Sequence, residues 1–407
     1  MKKRGILSNA VVLCLLPACL ALGQQEAGLS AIVAGNNAFA FDLYAQLKSA
    51  EGNIFFSPYS ISTALAMTYA GARGNTGKQM MRVLHFGKNE TAFHEGFGKL
   101  QAGINEAQRQ GNVKLSVANS LWMQKDYKFL AEFLEMTGKN YGAELNYADY
   151  KNEAEKARAK INTWVERRTN DKIKELIRPG VLDASTRMVL ANAIYFKGAW
   201  ATKFDTAKTK EMPFWVSARD SVKLNMMNTG EKEFGYGENK SVQILDMPYA
   251  GRELSMIVIL PRTKTGLGDF EKEIRAELLD SLCSGMRQEK VVVYLPKFTT
   301  RRECVLKKVL QKMGITDAFS EESADFSGMS SNKDLKISEV IHKAFVDVNE
   351  EGTEAAAATA VVVGLRCARV YYYKPHLFRA DHPFLFLIRD NTTGSILFMG
   401  RVVNPLL

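Results

Sequence analysis

Cysteine is scarce in this 407-residue chain, with five in all: Cys14, Cys19, Cys283, Cys304 and Cys367. So few exclude a disulfide-stapled scaffold, and a chain this long buries enough core to fold without bridges or a structural metal. The five histidines, His85, His94, His342, His376 and His382, do not cluster as metal ligands, and no cofactor is implied. No block of five or six like charges occurs. Although the formal charge is +10, cations and anions are interspersed, which argues against nucleic acid or an acidic membrane as partner. A nucleophile elbow, a phosphate loop and metal-spaced histidines are all missing, so no enzyme is expected. No apolar run approaches the roughly 20 residues of a membrane span. Linkers rich in Pro, Gly or Ser, repeats and compositional breaks are missing too, which favours one large domain over the two or three that a prior of ~150 residues per domain suggests.

What is present begins with Lys2, Lys3 and Arg4 ahead of an apolar stretch over residues 11–22 that ends in Ala21, Leu22 and Gly23. That pattern predicts a secretory signal peptide over residues 1–23, cleaved after Gly23, and a mature domain over 24–407 that is secreted or periplasmic. Leu16, Pro17, Ala18 and Cys19 loosely resemble a bacterial lipoprotein site, so anchoring through Cys19 is the alternative.

Periodicity divides the rest. Ala40, Leu43, Tyr44 and Leu47 share one helical face, and Ala157, Ile161, Trp164 and Val165 share another, with Pro179 and Gly180 expected to stop the second helical region. The first half therefore reads as mainly helical. In the second half, the apolar runs 256–260 and 291–295, closed by Pro261 and Pro296, read as buried strands. Runs 384–388 and 396–399 flank the turn-rich residues 390–394 as a hairpin. Helices followed by strands imply an α+β class.

Residues 349–363 mix incompatible preferences. Glu354 to Ala360 favours helix by propensity, whereas Thr359 to Val363 favours strand. Read with a period of two, Thr353, Ala355, Ala357 and Thr359 place only small side chains on one face, with Glu354, Ala356 and Ala358 on the other. Such a strand could slip between existing strands without overfilling a core. On composition alone, a short alanine-rich helix or a surface linker is the preferred reading.

Motifs elsewhere choose between these readings. Residues 53–76 carry Phe56, Ser57, Pro58, Ser60, Gly71, Ala72, Gly74 and Thr76; residues 192–200 read NAIYFKGAW; residues 203–214 follow. With Met226, Met227, Pro248, Tyr249, then Leu295, Pro296, Lys297 and Phe298, and finally residues 381–384 and 398–405, the chain resembles the serpins over nearly all of its length. The resemblance implies the serpin fold, with about nine helices, three β-sheets and an exposed reactive-centre loop over about 350–380. It implies a monomeric suicide inhibitor that traps a serine protease as a covalent ester.

By that resemblance, Glu350, Glu351, Gly352, Thr353, Glu354, Ala355, Ala356, Ala357, Ala358 and Thr359 form the hinge, with the composition of inhibitory members. Counting sixteen residues on from Glu350 puts the scissile bond between Arg366 and Cys367, which implies a trypsin-like target that prefers a basic residue. Arg369 is a second basic candidate, and Leu365 as bait would imply a chymotrypsin-like target. The stretch from Cys367 to His382 is longer than the family's, and Tyr371, Tyr372 and Tyr373 within it could contact the protease or simply pack. An exposed Cys367 thiol could act as a redox switch. Ser57, Ser60, Asn192 and His342 would lie where the central strands part, and Trp200 where the loop first enters. Residues 91–110 hold only Lys99 and Arg109 as cations, so no strong glycosaminoglycan site is expected. The alternatives are a non-inhibitory serpin acting as chaperone or carrier, and an inhibitor of a papain-like cysteine protease.

Overall fold

The computed structural model describes residues 15–87, 89–109, 113–142, 144–331, 334–353 and 374–407, with side chains from residue 28 onward. Among these, the helices are α1 (Leu15–Leu47), α2 (Pro58–Tyr69), α3 (Gly74–Val83), α4 (Glu90–Arg109), α5 (Ala131–Tyr141), α6 (Tyr150–Arg168), α7 (Leu267–Glu273), α8 (Ala276–Ser284) and α9 (Lys307–Met313). The strands are β1 (Ile54–Phe56), β2 (Val113–Gln124), β3 (Glu144–Ala148), β4 (Met188–Ala199), β5 (Lys210–Trp215), β6 (Ser221–Glu238), β7 (Val242–Pro248) and β8 (Leu254–Pro261). They continue with β9 (Arg287–Pro296), β10 (Phe298–Val305), β11 (Glu339–Asn349), β12 (Gly352–Thr353), β13 (His376–Arg379), β14 (Phe384–Asp390) and β15 (Ile396–Val402). No helix among the described residues is long and apolar enough to cross a membrane.

Six strands form one sheet in the order β10-β11-β12-β4-β2-β3, and nine form another, in the order β1-β15-β14-β8-β7-β6-β9-β13 with β5 on β6. The larger sheet turns at the long β6, whose register shifts between Asn228 and Glu231. Strand β9 pairs with β6 on both sides of that shift, so two sheets are found among the described residues where the resemblance implied three. The α+β class is that read from the sequence.

Helix α2 joins the layers. Ser57 caps it, its hydroxyl accepting the Ser60 N–H at 3.1 Å, and Pro58 at the first helical position costs no hydrogen bond. All twelve residues are buried, because the helix packs against β2 and β4 on one side and β15 on the other. Its Thr63 and Thr68 hydroxyls are satisfied by donating to the carbonyls of Tyr59 and Ala64, at 2.7 and 3.0 Å. On the opposite face of the six-stranded sheet, Ile161 and Val165 of α6 bury against Trp122, Ala193, Tyr195 and Phe345.

The first half is mainly helical, holding α1 to α6, and it also contains β2 and β4, two twelve-residue strands of the central sheet. One reading needs correction: α6 ends at Arg168, well before Pro179. Thr169 closes the helix, and Asn170 and Asp171 follow with φ of 51° and 58°. Such left-handed backbone is tolerated best by Asn and Asp among side-chain-bearing residues, and it stops a helix without proline. The expected C-terminal hairpin is β14–β15, whose turn is fastened by Asp390 accepting the N–H groups of Thr392 and Thr393 at 3.2 and 3.1 Å.

The last strand is anchored by a buried ion pair. Arg401, 7% exposed at its side chain, lies 3.0 Å from Glu271 and donates to the carbonyls of Lys48, Ala50 and Gly52 at 2.9, 2.6 and 3.0 Å. Tyr44 donates to the same carboxylate. Arg401→Ala leaves Glu271 without its cation and those carbonyls without their donor, and is expected to destabilise the protein by roughly 3–5 kcal/mol. Urea unfolding monitored by circular dichroism checks this, and a loss under 1 kcal/mol, of the order of an exposed pair, would refute it.

Candidate functional site

The site is the seam between β4 and β11. These strands pair in parallel from Glu339↔Val189 to Phe345↔Tyr195. Above that ladder β12 lies between them, with Thr353 opposite both Val348 and Gly198, and Gly352 opposite Asn349 and Ala199. The first residues of the expected hinge are therefore inside the sheet, whereas the sequence placed the whole loop in the open. The fold-back requires glycine. At φ of +155°, a Cβ on Gly352 would lie 2.0 Å from the Gly198 carbonyl oxygen.

Side chains around this wedge fix it. The Trp200 indole, 2% exposed, donates to the Asn349 carbonyl at 2.9 Å, its own backbone N–H reaches the Glu351 carbonyl at 2.9 Å, and its ring stacks on Tyr249 at 4.7 Å. The Tyr249 hydroxyl is 2.8 Å from that of Thr353, which is fully buried. Glu350 accepts from Lys297 and from the Thr209 hydroxyl, each at 2.8 Å. Burial opposes its charge, but those hydrogen bonds outweigh burial and hold the carboxyl below its ordinary range. Glu351 pairs with Lys203. Glu354, Ala355, Ala356, Ala357, Ala358, Thr359, Leu365, Arg366, Cys367 and Arg369 lie outside the described residues.

Lower in the seam, Ser57, Ser60, Asn192 and His342 meet as expected. His342 of β11 stands opposite Asn192 of β4, which stands opposite Asn119 of β2. The Ser57 N–H donates to His342 Nε2 at 3.0 Å, so Nε2 is unprotonated and Nδ1–H faces Asn192 Oδ1. Asn192 Nδ2 in turn donates to the Ser60 carbonyl and hydroxyl, both at 2.7 Å, and the Ser60 hydroxyl donates to Asn119 Oδ1 at 2.9 Å. Asn119 was missed in the sequence. The signal was there: in the alternation Val117, Asn119, Leu121, one polar residue interrupts an apolar face.

This geometry sets the two residues of β12 between β4 and β11. A family model described as "Serpin (serine protease inhibitor)" matches residues 34–405, and the chain belongs to the serpin family. It is 45% identical over 374 residues to leukocyte elastase inhibitor of Xenopus tropicalis, covering 90% of this chain and 97% of that one, and 44% identical over 385 residues to Serpin B6 of Pongo abelii, covering 93% and 100%. The crystal structure of Serpin48, described as a highly specific serpin in the insect Tenebrio molitor, superposes with a TM-score of 0.82 at 32% identity, covering 92% of this chain and 98% of that one. The protein is a serpin protease inhibitor and not a catalyst.

The secreted or periplasmic location, with its alternative of a lipid anchor at Cys19, is corrected by these matches. Leukocyte elastase inhibitor and Serpin B6 are members of the family's intracellular branch and lack signal peptides. An apolar run the length of 11–22 is ambiguous between a signal core and a stretch of helix. Here residues 15–22 belong to α1, which continues unbroken past Gly23.

Burial depresses the His342 pKa to about 3, and burial with the nearby Arg73 depresses that of His94 to about 4. Unfolded histidine titrates near 6.5, so between that pH and these values only the unfolded chain takes up the protons. Stability is then full above about pH 6.5 and falls on acidification by up to about 1.4 kcal/mol per pH unit for each histidine. His342→Gln is expected to remove one such step, measured as the difference in unfolding free energy between pH 6 and pH 5. An unchanged slope would show that His342 carries a proton in the fold.

Proposed function

We propose that this serpin is a suicide substrate of a serine protease. The protease serine attacks the carbonyl of the bait residue, the peptide bond to the next residue breaks, and the amine of that next residue leaves as a new N-terminus. The inhibitor remains joined to the enzyme as an ester. Insertion of the cleaved loop between β4 and β11 then carries the protease away before water attacks, the order change for which this family is known. Fourteen residues, from Thr353 to Arg366, at ~3.3 Å each correspond to a displacement of roughly 45 Å. The observation that carries this reading is the pairing of Gly352 and Thr353 with both strands. The sequence continues from there with small residues suited to the same slot. The His342–Asn192–Ser60 cluster, on the same reading, governs how readily the seam parts.

For the bait we propose Arg366, with Cys367 following the scissile bond, and hence a target that prefers a basic residue. A second reading is favoured by the relatives named leukocyte elastase inhibitor: Leu365 as bait for a protease with an apolar pocket. Incubation with trypsin and, separately, with leukocyte elastase decides. Under the first reading an SDS-resistant complex forms with trypsin and the released peptide begins at Cys367; under the second it forms with elastase and the peptide begins at Arg366. Cleavage without a complex in either case would refute trapping. Thr353→Arg puts a charge at a fully buried position of the slot. It is expected to abolish the complex while leaving cleavage intact, as gels of the same mixtures would read.

A further inference from the structure

After α6 the chain does not leave the sheet but crosses it. Asn170 donates to the Ser116 hydroxyl of β2 at 3.1 Å and accepts from Lys114 of the same strand at 3.4 Å. A few residues on, Lys343 of β11 donates to the carbonyls of Lys174 and Glu175 at 2.8 and 3.2 Å. This strap therefore holds β2 at one end and β11 at the other, passing over the seam, and Asn170, Asp171 and Glu175 keep it in place with positive φ.

Between the strap and the sheet lies a cleft of about 490 Å³ lined by Asn170, Asp171, Lys172, Lys174, Arg301 and Lys343. Four of the six are cations, and Asp171 is the carboxylate among them. Two cations come from the strap, one from β10 and one from β11. Arg301 stands opposite Phe345 in the ladder and its guanidinium lies 5.0 Å from that ring, so its orientation is fixed in advance. Nearby Glu303 is engaged by Arg178 at 3.2 Å, outside the lining. Lys343 is half-buried, and burial, with Arg178 and Arg301 adding to it against Glu303 and Glu175, lowers its pKa. Concentrating like charges around a concavity is unfavourable unless an anion relieves it.

We propose that this cleft binds a compact polyanion carrying several phosphate or sulfate groups, and that the bound anion ties the strap to β10 and β11 and slows parting of the seam. The binding rests on the cleft alone; its effect on inhibition rests on the trapping mechanism above. The ligand's groups accept from Lys172 and Lys174 on one side and from Arg301 and Lys343 on the other, with Arg301 able to grip one group through two N–H bonds. Such an anion joins the two sides of the region that loop insertion must separate.

The test is calorimetric titration of the full chain at low salt with inositol hexakisphosphate and, separately, with sucrose octasulfate. Lys174→Ala/Arg301→Gln serves as the variant, because both side chains are exposed and neither belongs to the wedge or the His342 cluster. Binding to the wild type, weakened by roughly tenfold or more in the variant, is expected, and the tighter of the two probes identifies the phosphate or sulfate source. No binding by the wild type, or equal binding by both proteins, overturns the site. With the protease that forms the covalent complex, saturating anion is expected to lower the fraction trapped and raise the fraction merely cleaved, in the wild type only. Binding with an unchanged partition overturns the effect on the seam. Failure to trap any protease without anion would count against the trapping mechanism and leave the binding result standing.

Discussion

Everything distinctive in this molecule depends on how β4 and β11 are held together. They are parallel neighbours in a sheet otherwise built largely of antiparallel pairs, joined directly over seven register positions and then separated by the two residues of β12. A parallel ladder is slightly the weaker kind per residue. Here it is reinforced by side chains: the Asn119, Asn192 and His342 row runs across three strands and is tied to α2 through Ser57 and Ser60. Because α2 is buried between both sheets, parting the seam disturbs a hydrogen-bonded network in a dry interior, where each unpaired group is costly. Opening the seam would need something that replaces what it loses, and on the reading proposed above a further strand would supply it.

The wedge at the top already sets two residues of chain between these strands. Glu350 and Glu351 are held by Lys297 and Lys203, at positions where the chain reverses, and Thr353 finds a hydroxyl partner on Tyr249. Gly352 can approach the Gly198 carbonyl because it has no side chain, whereas a Cβ on Gly198 would meet the rings of Phe196 and Tyr249 at 2.9 Å. A side chain at residue 352 would keep the entering backbone out.

Much of this was legible in the sequence. The C-terminal hairpin and the buried strand β8 follow from apolar runs bounded by turn residues, and the small-residue alternation beginning at Thr353 already describes a strand in search of a sheet. The motifs around Ser57, Asn192 and Trp200 led to the right part of the fold. What stayed hidden has physical causes. Strand β2 has an irregular burial pattern, because one of its faces meets α2 and the other meets α6 over only part of its length, so neither clean alternation nor a continuous apolar run marks it. The end of α6 was placed at a proline when two left-handed residues had already done the work, a property of backbone angle that composition does not announce. Residues 11–22 illustrate the opposite error, since a short apolar run after basic residues fits more than one fate. Asn119 interrupts an apolar face, a signal that is read only once β2 is recognised as a strand.

The pairing of β1 with β15 sets a timetable for biosynthesis. Ile54, Phe55 and Phe56 have Arg401, Gly400 and Met399 as their partners, and Phe55 stacks on Phe386 and Phe398. At 5–20 residues per second, roughly 20–70 s separate the synthesis of these two strands. During that interval the segment bearing residues 54–56, the buried helix behind it and the Glu271 carboxylate have all been made while their C-terminal partners have not. The segment from 350 to 380 leaves the ribosome inside the same interval, ahead of the strands that complete the larger sheet. The larger sheet is therefore closed last, when the final residues to be made return to the first strand of the domain.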